Sequence, residues 1–252
     1  MILDKMVLLG GEPIFISNVG SVKSPKLELI KTQDGYFRYQ SYMIALMSDT
    51  KGISDFFTGL NDEDPFKDLS DLDKLETPYF SLLIKSPQTR ELLKEALSFF
   101  IVDDVIYSEK HSCYLVNRQE GDKLLTIGYV AQDNFGEVVG IIKQLLHSED
   151  NDPNNLTFSS ETAKQWWLEA QKKESELPKV DSANYELSNI ISKLCALNIG
   201  YNLLNIWDLT IYCLYDQLSA YIQNRMSSIS ENAYAHNGGD KFDAMAWFKN
   251  NK

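Results

Sequence analysis

The hydrophobic and polar positions of this chain change period several times, dividing it into short strand-like runs and longer helical ones. Met6 to Leu9 and Ile14 to Ile16 are apolar runs around Gly10-Gly11-Glu12-Pro13, which predicts a hairpin or strand pair at the start. From Gly35 to Met47, residues Tyr36, Tyr39, Met43, Leu46 and Met47 recur at three- and four-residue spacings and predict the first helix. Between Asp55 and Ser81 the periodicity decays into an acidic stretch with isolated Phe and Leu residues, read as short helical turns on the surface. Ser86-Pro87 supplies a capping hydroxyl and an N1 proline for a helix carrying Leu92, Leu93, Ala96, Leu97, Phe99 and Phe100. The runs Ile101 to Tyr107, Cys113 to Val116 and Leu124 to Val130, separated by polar turns, predict an antiparallel meander. Asp133-Asn134 caps the helix that follows, where Phe135, Val138, Val139, Ile142, Leu145 and Leu146 form an amphipathic stripe expected to pack on the meander.

The turn-forming run Ser148 to Ser159 marks the best boundary, and beyond it the pattern becomes helical. Ser160 to Glu176 reads as a largely polar connector helix. Tyr185, Leu187, Ile190, Ile191, Leu194 and Leu197 lead to a stop at Gly200, then to a helix from Trp207 to Met226 and a short terminal helix over Phe242 to Phe248. The expected fold is α+β: a mixed domain over residues 1–148, a loop and connector over 149–181, and a C-terminal helical hairpin within 182–252.

Charge narrows the set of partners. Thirty-six acidic residues against 24 basic give a net charge of -12, a field that repels a phosphate backbone, and no basic cluster offsets it. Neither nucleic acid nor an anionic membrane is therefore an expected partner. No apolar run approaches the ~18 to 20 residues of a membrane-spanning helix, and the N-terminus makes a poor signal peptide because Asp4 interrupts a short apolar run. Three dispersed cysteines, Cys113, Cys195 and Cys213, form no CxxC pair and argue against a disulfide framework or zinc site. A cytoplasmic protein fits best.

No constellation in the chain specifies catalysis. Asp150, Asp152, Asn154 and Glu161 fall at positions 1, 3, 5 and 12 of a calcium loop, but Asn155 stands where glycine is required and Pro153 stiffens the turn. A polar inter-helix loop explains the run better, with a small metal-regulated protein as the alternative. His111, His147 and His236 lack any helical zinc spacing, and the proximity of Cys113 to His111 comes without a third, orienting group. Asp103 and Asp104 point to opposite faces of a regular strand. Gly10-Gly11 and Gly238-Gly239 lack the spacing of a phosphate cradle. The expectation is no catalytic residue, no cofactor and no metal.

Trp207, Ile211, Leu214 and Leu218 share one helical face that Tyr215 and Ile222 extend. A stripe of this kind is either core or a docking surface for a partner, and the two readings coexist if one end is buried and the other is not.

Four segments resemble tail assembly chaperones and tail-associated proteins of tailed phages from Gram-positive hosts. They are Leu92 to Val105, Asp133-Asn134-Phe135 into Val138 and Ile142, Asp152-Pro153-Asn154-Asn155 leading to Ala163-Lys164, and Leu204 to Leu218 with its Trp-Asp-Leu-Thr-Ile-Tyr block. The resemblance implies a non-enzymatic protein of the infected host's bacterial cytoplasm. It would bind tape-measure or tail-tube proteins during tail morphogenesis, with a structural place in the virion and self-association as alternatives. It carries no catalytic residues.

Overall fold

A computed structural model describes residues 2–147, 186–197 and 200–237. The class is α+β, as the periodicities predict, but the first element differs. Met6 to Leu9 belongs to helix α1 (Lys5–Gly10), and not to a strand, because both ends are fixed by caps that outweigh local β propensity. The Asp4 carboxylate accepts from the Met6 and Val7 amides, and Gly11 closes the helix at φ +69°. Only glycine suits that conformation there, since a Cβ would also meet the Thr210 methyl at 3.1 Å. The predicted hairpin exists one step later, as β1 (Ile14–Ile16) paired antiparallel with β2 (Gly20–Val22).

Helix α2 (Gln33–Met47) begins at Thr32, whose hydroxyl accepts from the Gly35 amide, and α3 (Thr50–Gly59) begins at Asp49 in the same manner. The acidic stretch beyond holds α4 (Asp71–Glu76) and α5 (Tyr79–Leu83), the short helical turns expected. It is not confined to the surface: Phe57, Phe66, Phe80, Leu82 and Leu83 are buried, so the isolated apolar residues are core anchors.

Helix α6 (Pro87–Phe100) follows, with proline in its first turn. The Ser86 hydroxyl does not cap it. Thr89 Oγ1 instead donates to the Leu83 and Ser86 carbonyls, closing the α5–α6 corner from within. The meander is β3 (Asp104–Ser108), β4 (Cys113–Glu120) and β5 (Lys123–Val130), antiparallel in that order with a bulge at Val116/Asn117. Its inner face carries Val105, Tyr114 and Val116. The Tyr114 hydroxyl donates to the Arg90 carbonyl of α6 at 2.8 Å, and its ring lies 6.2 Å from Phe80. Helix α7 (Phe135–Leu145) buries Phe135, Val138, Ile141, Ile142 and Leu145, so Ile141 takes the place expected for Val139. The Asn134 side chain does not cap α7. It turns back, accepting from the Ala131 amide and donating to the Tyr129 carbonyl, and so clamps the end of β5.

The β1–β2 hairpin is bonded on one side to the α6–β3 junction and on the other to the meander. Val102 N donates to Ser21 O, Lys23 N to Phe100 O, and Tyr129 N to Asn18 O. The polar seam is a bidentate pair: Arg118 Nε and Nη2 donate to the two Asp103 oxygens at 2.8 and 3.0 Å, while the Ser21 amide donates to the same carboxylate at 2.8 Å. The Arg118 hydrogen bonds, aided by the Ser21 amide, hold the Asp103 carboxyl below the ordinary carboxylate range.

Two units emerge from the packing, one of Met1–His147 with Trp207–Lys252, the other Ser148–Ile206. In the second, α8 (Leu187–Ala196) buries Leu187, Ile190, Ile191 and Leu194. The turn at Asn202 to Ile206 is held by reciprocal Asn202 and Asn205 side-chain bonds to backbone amides. The long helix α9 (Ile211–Asn237) belongs to the first unit, so the two helices of the predicted hairpin fall in different units. The Ser148 to Ser159 loop, the calcium-like run from Asp150 to Glu161, the connector helix and the terminal helix at Phe242 to Phe248 lie outside the described residues.

Two outcomes test this arrangement. A Cβ on Gly128 would sit 2.7 to 2.8 Å from backbone atoms of Asn18 and Val19, so Gly128→Ala should cost about 1–3 kcal/mol in urea unfolding. Because the folded-state pKa of Asp103 is depressed, its contribution is fully present above the unfolded value of about 3.9 and fades as pH falls through the folded value. Asp103→Asn should therefore lose about 1.5–3 kcal/mol at pH 7 and show a shallower loss of stability on acidification than the parent.

Candidate partner-binding helix

Helix α9 is rooted by the backbone. The segment Leu209 to Tyr212 runs antiparallel to Ser24 to Leu27: Leu27 N donates to Leu209 O at 2.8 Å, Ile211 N to Pro25 O at 2.9 Å, and the Tyr212 amide to the buried Ser24 hydroxyl at 3.0 Å. Thr210 caps the helix, its hydroxyl accepting from the Cys213 amide and its carbonyl from Leu214 N. The helix thus begins at Ile211, after a 3₁₀ turn over Ile206–Asp208. Trp207 is therefore in the turn and not on the helical stripe, a correction to the sequence reading whose cause is the Thr210 cap.

Side-chain contacts deepen the root. Lys5 and Asp216 pair at 2.8 Å, His147 Nε2 lies 3.6 Å from the same carboxylate, and the His147 ring is 5.0 Å from Tyr212. The Cys213 thiol donates to the Leu9 carbonyl at the end of α1.

The six residues expected to bind a partner separate by depth. Ile211 and Leu214 are fully buried and belong to the core, while Trp207, Tyr215 and Leu218 are half-buried. Burial raises the Tyr215 hydroxyl pKa, with Tyr36 of α2 adding to the effect. Burial likewise raises that of Tyr39, with Tyr215 next. Ile222 is 51% exposed, and Ile229, seven residues on and so on the same face, is 54% exposed. The stripe is core at its start and open further along.

The remaining chemical candidates do not assemble. Cys113 is buried, and burial together with the Asp133 charge raises its thiol pKa, the opposite of what a nucleophile needs, while His111 is exposed in the turn. His236 Nδ1 lies 2.8 Å from the Asn232 carbonyl of its own helix. Asp103 is committed to Arg118, and Asp104 is exposed on β3. Among the described residues no three His, Cys, Asp or Glu side chains converge as metal ligands, and no helix is long and apolar enough to cross a membrane. A cleft of about 900 Å³ lies beside α3 and α5, but two of its three carboxylates are already engaged, while Glu76 is exposed. Asp49 accepts from Gly52 N, and Asp64 from Ser54 and Phe66 N.

An α+β chain with a long C-terminal helix is thus the class that fold and site define. Residues 171–252, about a third of the chain, match the family model described as the YomV second domain, a phage-derived family. The matched stretch contains α8, the Thr210 strap and α9. No curated protein and no solved structure matches the chain.

Depth along α9 sets the expected effects of substitution. Leu214→Ala should cost about 2–5 kcal/mol by thermal or urea unfolding, whereas Ile222→Ala should stay within about 0.5 kcal/mol of the parent.

Proposed function

We propose that this chain is a non-enzymatic phage tail assembly protein that binds another protein through the outer part of α9. Its partner in this reading is the tape-measure or tail-tube protein, met in the host bacterial cytoplasm before or during tail assembly. The observation that carries the reading is the exposed apolar line Ile222 and Ile229 on a helix whose first turns are locked into the core. Isolated surface apolar residues are common, but two on one face of a firmly anchored helix present a ready seam for a second helix or groove. Similarity of residues 171–252 to a phage-derived family supports the phage setting, and the sequence resemblance of Leu204 to Leu218 to tail assembly chaperones is what suggests the step.

Co-expression supplies the test. The parent chain should raise the soluble yield of a tape-measure protein and be recovered with it by affinity capture. Ile222→Ser with Ile229→Ser should abolish capture while leaving the melting temperature of the isolated chain within about 3 °C of the parent. Recovery of no tape-measure protein, with stoichiometric presence of this chain in purified particles, would favour a structural place in the virion instead.

A further inference from the structure

A second surface, distant in sequence from α9, lies where α2, α3 and α6 meet. Asp34, Phe37, Arg38 and Ser41 follow at i, i+3, i+4 and i+7 on α2, and Gln88, Glu91, Leu92 and Glu95 repeat the same spacing on α6. Two helices therefore turn matching faces of about two turns, some 10 Å each, into one groove. Its volume is about 430 Å³.

The floor is aromatic. Phe37 is 45% exposed, although its ring stacks on Phe56 with centroids 6.0 Å apart, and Phe56 meets the buried Phe57 edge-on at 5.4 Å. The rim is mainly acidic: Asp34, Glu91 and Glu95 are exposed, and Arg38 is the opposing charge among the lining residues. Lys94 pairs with Glu91 at 2.8 Å outside the groove, and Glu95 accepts a hydrogen bond from the Tyr42 hydroxyl at 3.1 Å. That bond and the packing of Tyr42 against Phe99 hold Glu95 on the rim.

We propose that this groove is a docking site for a basic amphipathic helix of another protein, with aliphatic or aromatic side chains seated on Phe37 and Phe56 and lysine or arginine paired with Asp34, Glu91 and Glu95. Charge complementarity selects this occupant. An acidic segment would face carboxylates on both walls, and a second copy of this chain brings its own net charge of -12. A helix fits because the i, i+3, i+4, i+7 faces of α2 and α6 line one groove over an aromatic floor, the pattern an amphipathic helix matches with its own spacing.

The probe is a synthetic amphipathic peptide of about 14 residues with leucine and lysine at helical spacing, compared with its leucine–glutamate counterpart. Titrated against the full chain and followed by amide chemical shifts, the lysine peptide should move resonances of residues 34–41 and 88–95, and the glutamate peptide should not. Glu91→Lys with Glu95→Lys should weaken binding at least about tenfold, while the charge-matched Glu12→Lys with Glu109→Lys should change it less than about twofold. Phe37→Ser should weaken binding as well, with unfolding measured in parallel to show that the chain stays folded. Equal weakening by both charge pairs, shifts confined to α9, or equal binding of the two peptides would overturn the proposal. The α9 substitutions leave this groove intact, so failure here and failure of the tail-assembly reading are separately visible.

Discussion

The antiparallel pairing of Ser24 to Leu27 with Leu209 to Tyr212 is the constraint on which the rest of the larger unit depends. Three hydrogen bonds join residues more than 180 positions apart, and at least one lies in buried surroundings, where the Tyr212 amide has no water to replace Ser24 Oγ. A buried amide left without its acceptor loses more than a surface bond would, which makes the strap specific in register as well as stabilising. It also explains the neighbours. Thr210 caps α9 and lies against Gly11, so the end of α1 is fixed by the same residue that starts α9.

Much of the fold is legible in the sequence because it rests on local period. The stripes of α6 and α7 and the turns of the meander declare themselves through residues within a few positions of one another. Helix α2 is legible but its buried face is not, since Ser41, Tyr42 and Ala45 join Leu46 in place of Tyr36, Tyr39, Met43 and Met47. The failures share a cause: they depend on where a cap is made or on contacts distant in sequence. Met6 to Leu9 has strand-like composition, yet Asp4 and Gly11 close it as a helix. Ser86 and Asn134 have the chemistry of caps, but Thr89 serves the α5–α6 corner and Asn134 serves the strand behind it. Propensity names what a side chain can do, and tertiary geometry chooses among its options.

The candidate site was partly legible for the same reason. A helical stripe from Ile211 to Ile222 follows from spacing, but its division into a buried root and an open outer part does not, since spacing assigns a face and not a depth. Trp207, the most distinctive residue of the block, proves to precede the helix because Thr210 takes the cap. The acidic, aromatic groove of α2 and α6 was not visible at all. Each helix displays an ordinary amphipathic pattern, and only their alignment turns two mixed faces into one trough. Arg118 with Asp103 belongs to the same category, a pair separated by a turn of sheet and by the hairpin that Ser21 contributes.

Rigidity and exposure are distributed along α9 in a way that bears on binding. A docking residue is most effective when its backbone is already ordered, because association then loses less conformational freedom. The strap and the Lys5–Asp216 pair order the first turns of α9, and the exposed Ile222 and Ile229 continue the same regular helix. The groove on α2 and α6 obeys the same logic through different means, since its walls pack against each other and its rim carboxylate Glu95 is positioned by Tyr42. Both surfaces thus place exposed apolar atoms on backbone that the core has already fixed, which is what the two proposed docking roles require.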